Sequence, residues 1–254
     1  MSVTEAALVL SDGSLFEGEA IGARPEGGVS TGEVVFNTVL AGYQEVLSDP
    51  SYAGQIVTFT YPHIGNYGSA GADDESPTPR CAGVVVRDLA RRHSSWRAEA
   101  SLEDWLKRHG IAGIAGVDTR RLTRHLRNDG AVPGACGTAS EAEVRAAAAG
   151  ALGTDDTDLT RVVTTSKPYV LAGGPRRVVA VDYGIKRSLF AHLQPIAGVT
   201  VVPAGFSADD ILALEPDGVL LSNGPGDPAA VTHAPAMIAE LLGRVPVFGV
   251  CMGH

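Results

Sequence analysis

The sequence holds no apolar run approaching the roughly 20 residues needed to span a bilayer, so no transmembrane helix is expected. Its first residues, Met1 to Leu10, lack the positive charge and apolar block of a signal peptide, and a cytoplasmic location is expected. Cysteine is scarce. Cys81, Cys136 and Cys251 stand far apart, with no Cys-x-x-Cys or His-rich spacing, which argues against a zinc site or a disulfide framework and for reduced thiols. An excess of positive charge is also missing. The formal charge of -9 disfavours a nucleic-acid partner, because that binding needs a basic footprint to neutralise phosphates. Arg120, Arg121, Arg124 and Arg127 are the local exception. Their spacing around Leu122 and Leu126 puts the leucines on one helical face and reads as a solvated amphipathic helix rather than an anion site. What is present is a 44% hydrophobic chain of 254 residues, enough for one large or two ordinary globular domains.

The two halves of the chain follow different patterns. Residues 1–150 read as an α+β domain. Asp12-Gly13 between two apolar runs signals a hairpin, and strands are expected at Val34 to Asn37, Gln55 to Thr60 and Gly83 to Arg87. Helix starts are marked by Ser101 with Asp104, by Asp118 or Thr119, and by Ser140 with Glu143. Residues 151–175, rich in Gly, Thr and Asp, read as a connector. From 176 to 254 strands alternate with helices: strands at Val178 to Val181, Val199 to Val202, Gly218 to Leu221 and Val247 to Val250, helices at Ile185 to Leu193, Ser207 to Leu214 and Pro235 to Leu242. That alternation predicts an α/β domain, a parallel sheet covered by helices on both faces, with its chemistry beyond the carboxyl ends of the strands.

Two motifs fall at those ends. Ser222-Asn223-Gly224-Pro225-Gly226-Asp227-Pro228 follows one strand directly; its glycines and prolines can hold backbone N–H groups fixed toward a ligand. Gly249-Val250-Cys251-Met252-Gly253 follows the last strand and has the Gly-x-nucleophile-x-Gly form of an elbow that lifts a side chain out of a strand end. A cysteine after an apolar strand is by itself commonly a small buried hydrophobe. The pairing of the two loops on neighbouring strands turns it into a candidate nucleophile facing an oxyanion hole.

These residues resemble the class I (triad) glutamine amidotransferases. In the first half, Gly32 to Thr38, Gly42-Tyr43-Gln44-Glu45, Asp49-Pro50-Ser51-Tyr52, Gln55 to Thr58, Tyr61 to Gly68 and Gly116 to Arg120 resemble, in order, the carbamoyl-phosphate synthase small-subunit family, and Asp182 to Lys186 continues the match. The resemblance runs from Leu8 to the last residue. It implies that Cys251 forms a γ-glutamyl thioester and that ammonia passes to a large partner subunit. That partner, in a heterodimer, uses bicarbonate and ATP, with Mg or Mn, to make carbamoyl phosphate for arginine and pyrimidine synthesis. It further implies L-glutamine held by Ser51, Gly224, Gly226 and Met252, with Gly226 and Met252 giving the oxyanion N–H groups, and no cofactor or metal in this chain. A serine from the first domain would place glutamine at a domain interface.

Met252 stands where the family usually has leucine, a volume-conserving change. No His-x-Glu pair, the family's base and orienter, follows Cys251. The chain therefore reads as C-terminally incomplete and inactive alone, with His233 and His254 as weak stand-ins for the base. The alternative reading is a non-catalytic truncated module that docks on the large subunit.

Overall fold

The computed structural model describes residues 4–254. Contacts divide the chain into two compact units: residues up to Ser48 with Gly54–Gly153, and Asp49–Ala53 with Thr154–His254. The short segment holding Ser51 thus groups with the second unit.

In chain order the first unit contains β1 (Glu5–Leu10), β2 (Leu15–Gly22), β3 (Val29–Asn37), α1 (Tyr43–Ser48), β4 (Gln55–Phe59), β5 (His63–Ile64) and β6 (Gly83–Val85). It continues with β7 (Asp88–Leu89), α2 (Leu102–Arg108), β8 (Ala112–Ala115), α3 (Thr119–Asp129), β9 (Val132–Gly137) and α4 (Glu141–Ala149). The Asp12-Gly13 turn forms as expected: Asp12 Oδ1 accepts the Ser14 N–H at 2.8 Å, and Gly13 takes φ +90°. It sets β1 antiparallel to β2 with Leu8 opposite Phe16.

Seven strands close into a barrel in the order β1-β2-β8-β6-β4-β3-β9, with β9 returning to β1. Closure leaves no free sheet edge among these strands. Period-two alternation sends Leu8, Leu10, Phe16, Val34, Ile56, Val85, Ile114 and Cys136 into one core, which Leu122 and Leu126 of α3 join. The four arginines of α3 are exposed, as an amphipathic helix requires. One of them stacks: the Arg121 guanidinium lies 4.1 Å from the centre of the Phe16 ring. Helices α2, α3 and α4 each start at a capping side chain. Ser101 accepts from Asp104 N, Asp118 from Arg121 N, and Ser140 with Glu143 forms a reciprocal capping box.

The second unit contains α5 (Thr160–Val163), β10 (Tyr169–Asp182), α6 (Arg187–Leu193), β11 (Ala197–Pro203), α7 (Ala208–Leu212), β12 (Gly218–Leu221), α8 (Ala234–Leu241) and β13 (Val247–Gly249). The sheet order is β11-β10-β12-β13, and β10–β12 and β12–β13 pair in parallel. Alternate residues feed two cores. Val179, Val181, Val219 and Leu221 pack with α7 and α8, whereas Ala180, Val199, Val201 and Leu220 pack with Leu189, Phe190 and Leu193 of α6. Strands β10, β11 and β12 are thus apolar and helix-packed on both faces, the α/β arrangement that continuous strand hydrophobicity implies, whereas Phe248 of the edge strand β13 is exposed.

The stretch 151–175 is more ordered than a connector. It carries α5, and β10 begins at Tyr169. Tyr169, Val170 and Leu171 pair with Val201, Thr200 and Val199, whereas Val178 to Asp182 pair with Val199 to Pro203 in the opposite running sense. Most of this first half of β10 is exposed, so it lacks the apolar alternation by which a strand is recognised.

Candidate functional site

The site is built at the carboxyl ends of β10, β12 and β13. Leu221 of β12 lies opposite Gly249 of β13, so the loop at 222–228 and the elbow at 250–253 leave the sheet side by side. The elbow is tightly wound. Cys251 has φ +52°, a left-handed conformation uncommon for a residue with a Cβ and the kind of strain that accumulates at functional sites. The flanking glycines are sterically required. A Cβ on Gly249 would fall 2.1 Å from Gly253 O, and one on Gly253 would fall 2.3 Å from Leu221 O. The Gly253 N–H donates to Ser222 O at 3.1 Å and to Val250 O at 3.0 Å, and the Val250 N–H donates to Leu221 O at 3.0 Å. These bonds fasten the elbow to the end of β12. Cys251 itself begins a 3-10 turn, Cys251–Gly253, and is exposed.

The glycine loop is equally fixed. Ser222 and Asn223 are buried. Ser222 Oγ accepts the Tyr183 N–H at 3.0 Å and donates to Asn223 O at 2.8 Å. Gly224 runs so close to Tyr183 that a Cβ would meet its carbonyl oxygen at 2.2 Å. Gly226 takes φ +81° and lies against the backbone of Thr154 and Thr157. Asp227 then caps a 3-10 turn at Pro228–Ala230 by accepting the Ala229 N–H.

Ser51 joins this loop through Asn223. Asn223 Nδ2 donates to Ser51 Oγ at 2.9 Å and to Gly184 O at 2.9 Å, and approaches Asp49 Oδ1 at 3.3 Å. Asp49 Oδ1 also accepts the Ser51 N–H at 2.8 Å, and Lys186 Nζ lies 3.6 Å from Asp49 Oδ2. Nearby, Asp182 accepts backbone N–H groups from Gly184, Ile185 and Thr165. Burial dominates its titration and pushes its carboxyl above the usual aspartate range, against the opposing pull of those three bonds.

Of the residues singled out in the sequence, Ser51 and Gly224 thus meet around Asn223, and Cys251 sits on the elbow fastened to Ser222. The Met252 side chain packs beneath, against the core shared by α7 and α8. Asn223, Asp49 and Lys186 were legible only as members of motifs; their mutual bonding was not. Of the two stand-in bases, His233 is held away from the elbow. His233 Nε2 lies 3.0 Å from Ala204 O, just beyond β11, and β10 and β12 separate that strand from β13. The His254 N–H is bonded to Cys251 O at 2.9 Å within the turn. Among the described residues no group of three or more His, Cys, Asp or Glu could hold a metal ion, and no helix is long and apolar enough to cross a membrane.

The three cysteines are all free and differ in character. Burial pushes the Cys81 and Cys136 thiols up to about 12, so both are inert in the folded state. Iodoacetamide at neutral pH is expected to alkylate Cys251 alone in the native chain, and the other two only in denaturant. Peptide mapping checks this, and native labelling of Cys81 or Cys136 would contradict it.

Comparison with known proteins bears on both units. Residues 8–136 match the family model described as carbamoyl-phosphate synthase small chain, CPSase domain. The carbamoyl phosphate synthase small chain of Xylella fastidiosa strain Temecula1 is 49% identical, over 98% of this chain and 71% of the relative. The chain belongs to the carbamoyl-phosphate synthase small-chain family. Small chains from Synechococcus sp. strain ATCC 27144 (46% identical, over 100% of this chain and 70% of the relative) and Listeria monocytogenes strain EGD-e (47%, over 99% and 69%) agree. Residues 179–254 of this small-chain family member match the class I glutamine amidotransferase model, and that stretch contains both the glycine loop and the elbow.

Proposed function

We propose that this protein is the glutamine-hydrolysing chain of a carbamoyl-phosphate synthase, and that Cys251 is its nucleophile. The observation that carries the reading is the left-handed Cys251 on an elbow whose glycines cannot be replaced and which is hydrogen-bonded to the glycine loop of the adjacent strand. The Cys251 sulfur attacks the side-chain amide carbon of glutamine. The resulting oxyanion takes N–H groups from Gly226 and Met252, and collapse breaks the C–N bond and releases ammonia. Water then cleaves the thioester to glutamate and restores the thiol. Ser51, Gly224 and Gly226 hold the substrate. Ammonia goes to a large chain in the cytoplasm, where ATP and its divalent metal belong to the partner and the product feeds arginine and pyrimidine synthesis.

Residues 1–254 contain no His-x-Glu pair after Cys251, and His233 is held elsewhere. A general base typically contributes about 100- to 10,000-fold. Purified residues 1–254, alone, are therefore expected to hydrolyse glutamine at least about 100-fold more slowly than a small chain carrying that pair. A coupled glutamate assay measures it, and comparable turnover would mean that another group in this chain serves as base.

A further inference from the structure

We propose that Asn223 is a positioning residue that sets the polarity of the Ser51 hydroxyl, making it a donor toward an oxygen of the substrate. The inference rests on the reading that Ser51 contacts glutamine.

The orientation of the Asn223 amide is decided by two backbone groups. Gly184 O can only accept, and it faces one end of the amide at 2.9 Å. The Lys186 N–H can only donate, and it faces the other end at 3.3 Å. The first end must therefore be Nδ2 and the second Oδ1, so the flip ambiguity common to asparagine does not arise. Asn223 is 3% exposed, which leaves it no solvent alternative.

Ser51 Oγ lies 2.9 Å from that same Nδ2. An amide nitrogen has no lone pair to offer, so the serine oxygen accepts and its own hydrogen remains to be given. Among the described residues the Ser51 hydroxyl makes no other hydrogen bond. Asp49 Oδ1, a possible internal acceptor, is engaged by the Ser51 N–H and lies near Asn223 Nδ2, and Lys186 offsets its charge from the other oxygen. The hydroxyl hydrogen is thus free for a ligand acceptor. With the side-chain amide oxygen given to the Gly226 and Met252 N–H groups in the proposed reaction, the acceptor that glutamine has left for this donor is its α-carboxylate. An ammonium would present hydrogens to a hydroxyl already committed as an acceptor on its inner side.

Asn223→Asp tests this with almost no change of shape. An ionised carboxylate only accepts, so it draws the Ser51 hydrogen inward. The full-length protein with its large-chain partner is assayed with glutamine, with ammonia, and with 4-aminobutanamide, which keeps the amide and lacks the α-carboxylate. Asn223→Asp and Ser51→Ala are each expected to raise KM for glutamine at least tenfold and to narrow the preference for glutamine over 4-aminobutanamide. Ammonia-dependent synthesis should be unchanged, and the double variant should be no worse than either single one. Asn223→Ala, which removes the donor without adding charge, should also narrow the preference and serves if the aspartate variant misfolds. Wild-type KM and preference in both Asn223 variants would overturn the inference alone. A wild-type complex without glutamine-dependent synthesis would overturn the underlying reading and this inference with it.

Discussion

Replacing Cys251 by serine is expected to reduce glutamine-dependent carbamoyl phosphate synthesis by at least about a thousandfold, while ammonia-dependent synthesis by the same complex continues at the wild-type rate. The hydroxyl fits the elbow, so the fold should not change, but it is a far weaker nucleophile than the thiol. The contrast between nitrogen sources is what makes the result specific. A cysteine that served only packing would, on substitution, disturb the complex and lower both rates. Cys251 is exposed, unlike Cys81 and Cys136, so a packing role is the less natural expectation at this position. Equal losses with glutamine and ammonia would remove the cysteine from the chemistry.

The second large effect is steric. Gly249→Ala puts a methyl group 2.1 Å from Gly253 O, and backbone, not a flexible side chain, must yield. The elbow can relieve the contact only by moving Gly253 away, which breaks its bonds to Ser222 O and Val250 O and shifts the thiol relative to the glycine loop. Misplacement by about 1 Å can cost about 100-fold in rate, so glutamine-dependent activity should fall by at least that factor, with a lowered melting temperature. Gly205→Ala is the control, since nothing lies within 4 Å of a Cβ there and its φ is not left-handed. It should melt within a few degrees of wild type and keep full activity. An active, stable Gly249→Ala protein would mean that the elbow is not the rigid element described.

The second unit was readable in the sequence because its signals are local. Apart from the first half of β10, its sheet strands are short and largely apolar, its Ser207 and Asp210 capping pair forms as expected, and Gly218–Leu221 is a strand as predicted. The barrel of the first unit was not. Its hairpin and helix caps are local and were legible, but closure depends on β3, β4, β6 and β8 lying parallel, and those pairings join residues tens of positions apart. Nothing in any one strand specifies a parallel partner. The first half of β10 was missed for a different reason, its exposure and its Gly-Gly-Pro sequence. At the site, the elbow and loop are spelled out as contiguous motifs. The bond from Asn223 to Ser51 spans 172 positions and could be seen only in the folded chain.

The central claim is that Cys251 carries the substrate during turnover. Its most direct test is to incubate the full-length protein and its large-chain partner with L-glutamine, quench in acid during steady state, and map peptides by mass spectrometry. One glutamyl group, released by hydroxylamine, is expected on the peptide containing Cys251. Turnover of glutamine with that peptide unmodified, or with the group on Cys81 or Cys136, would contradict it.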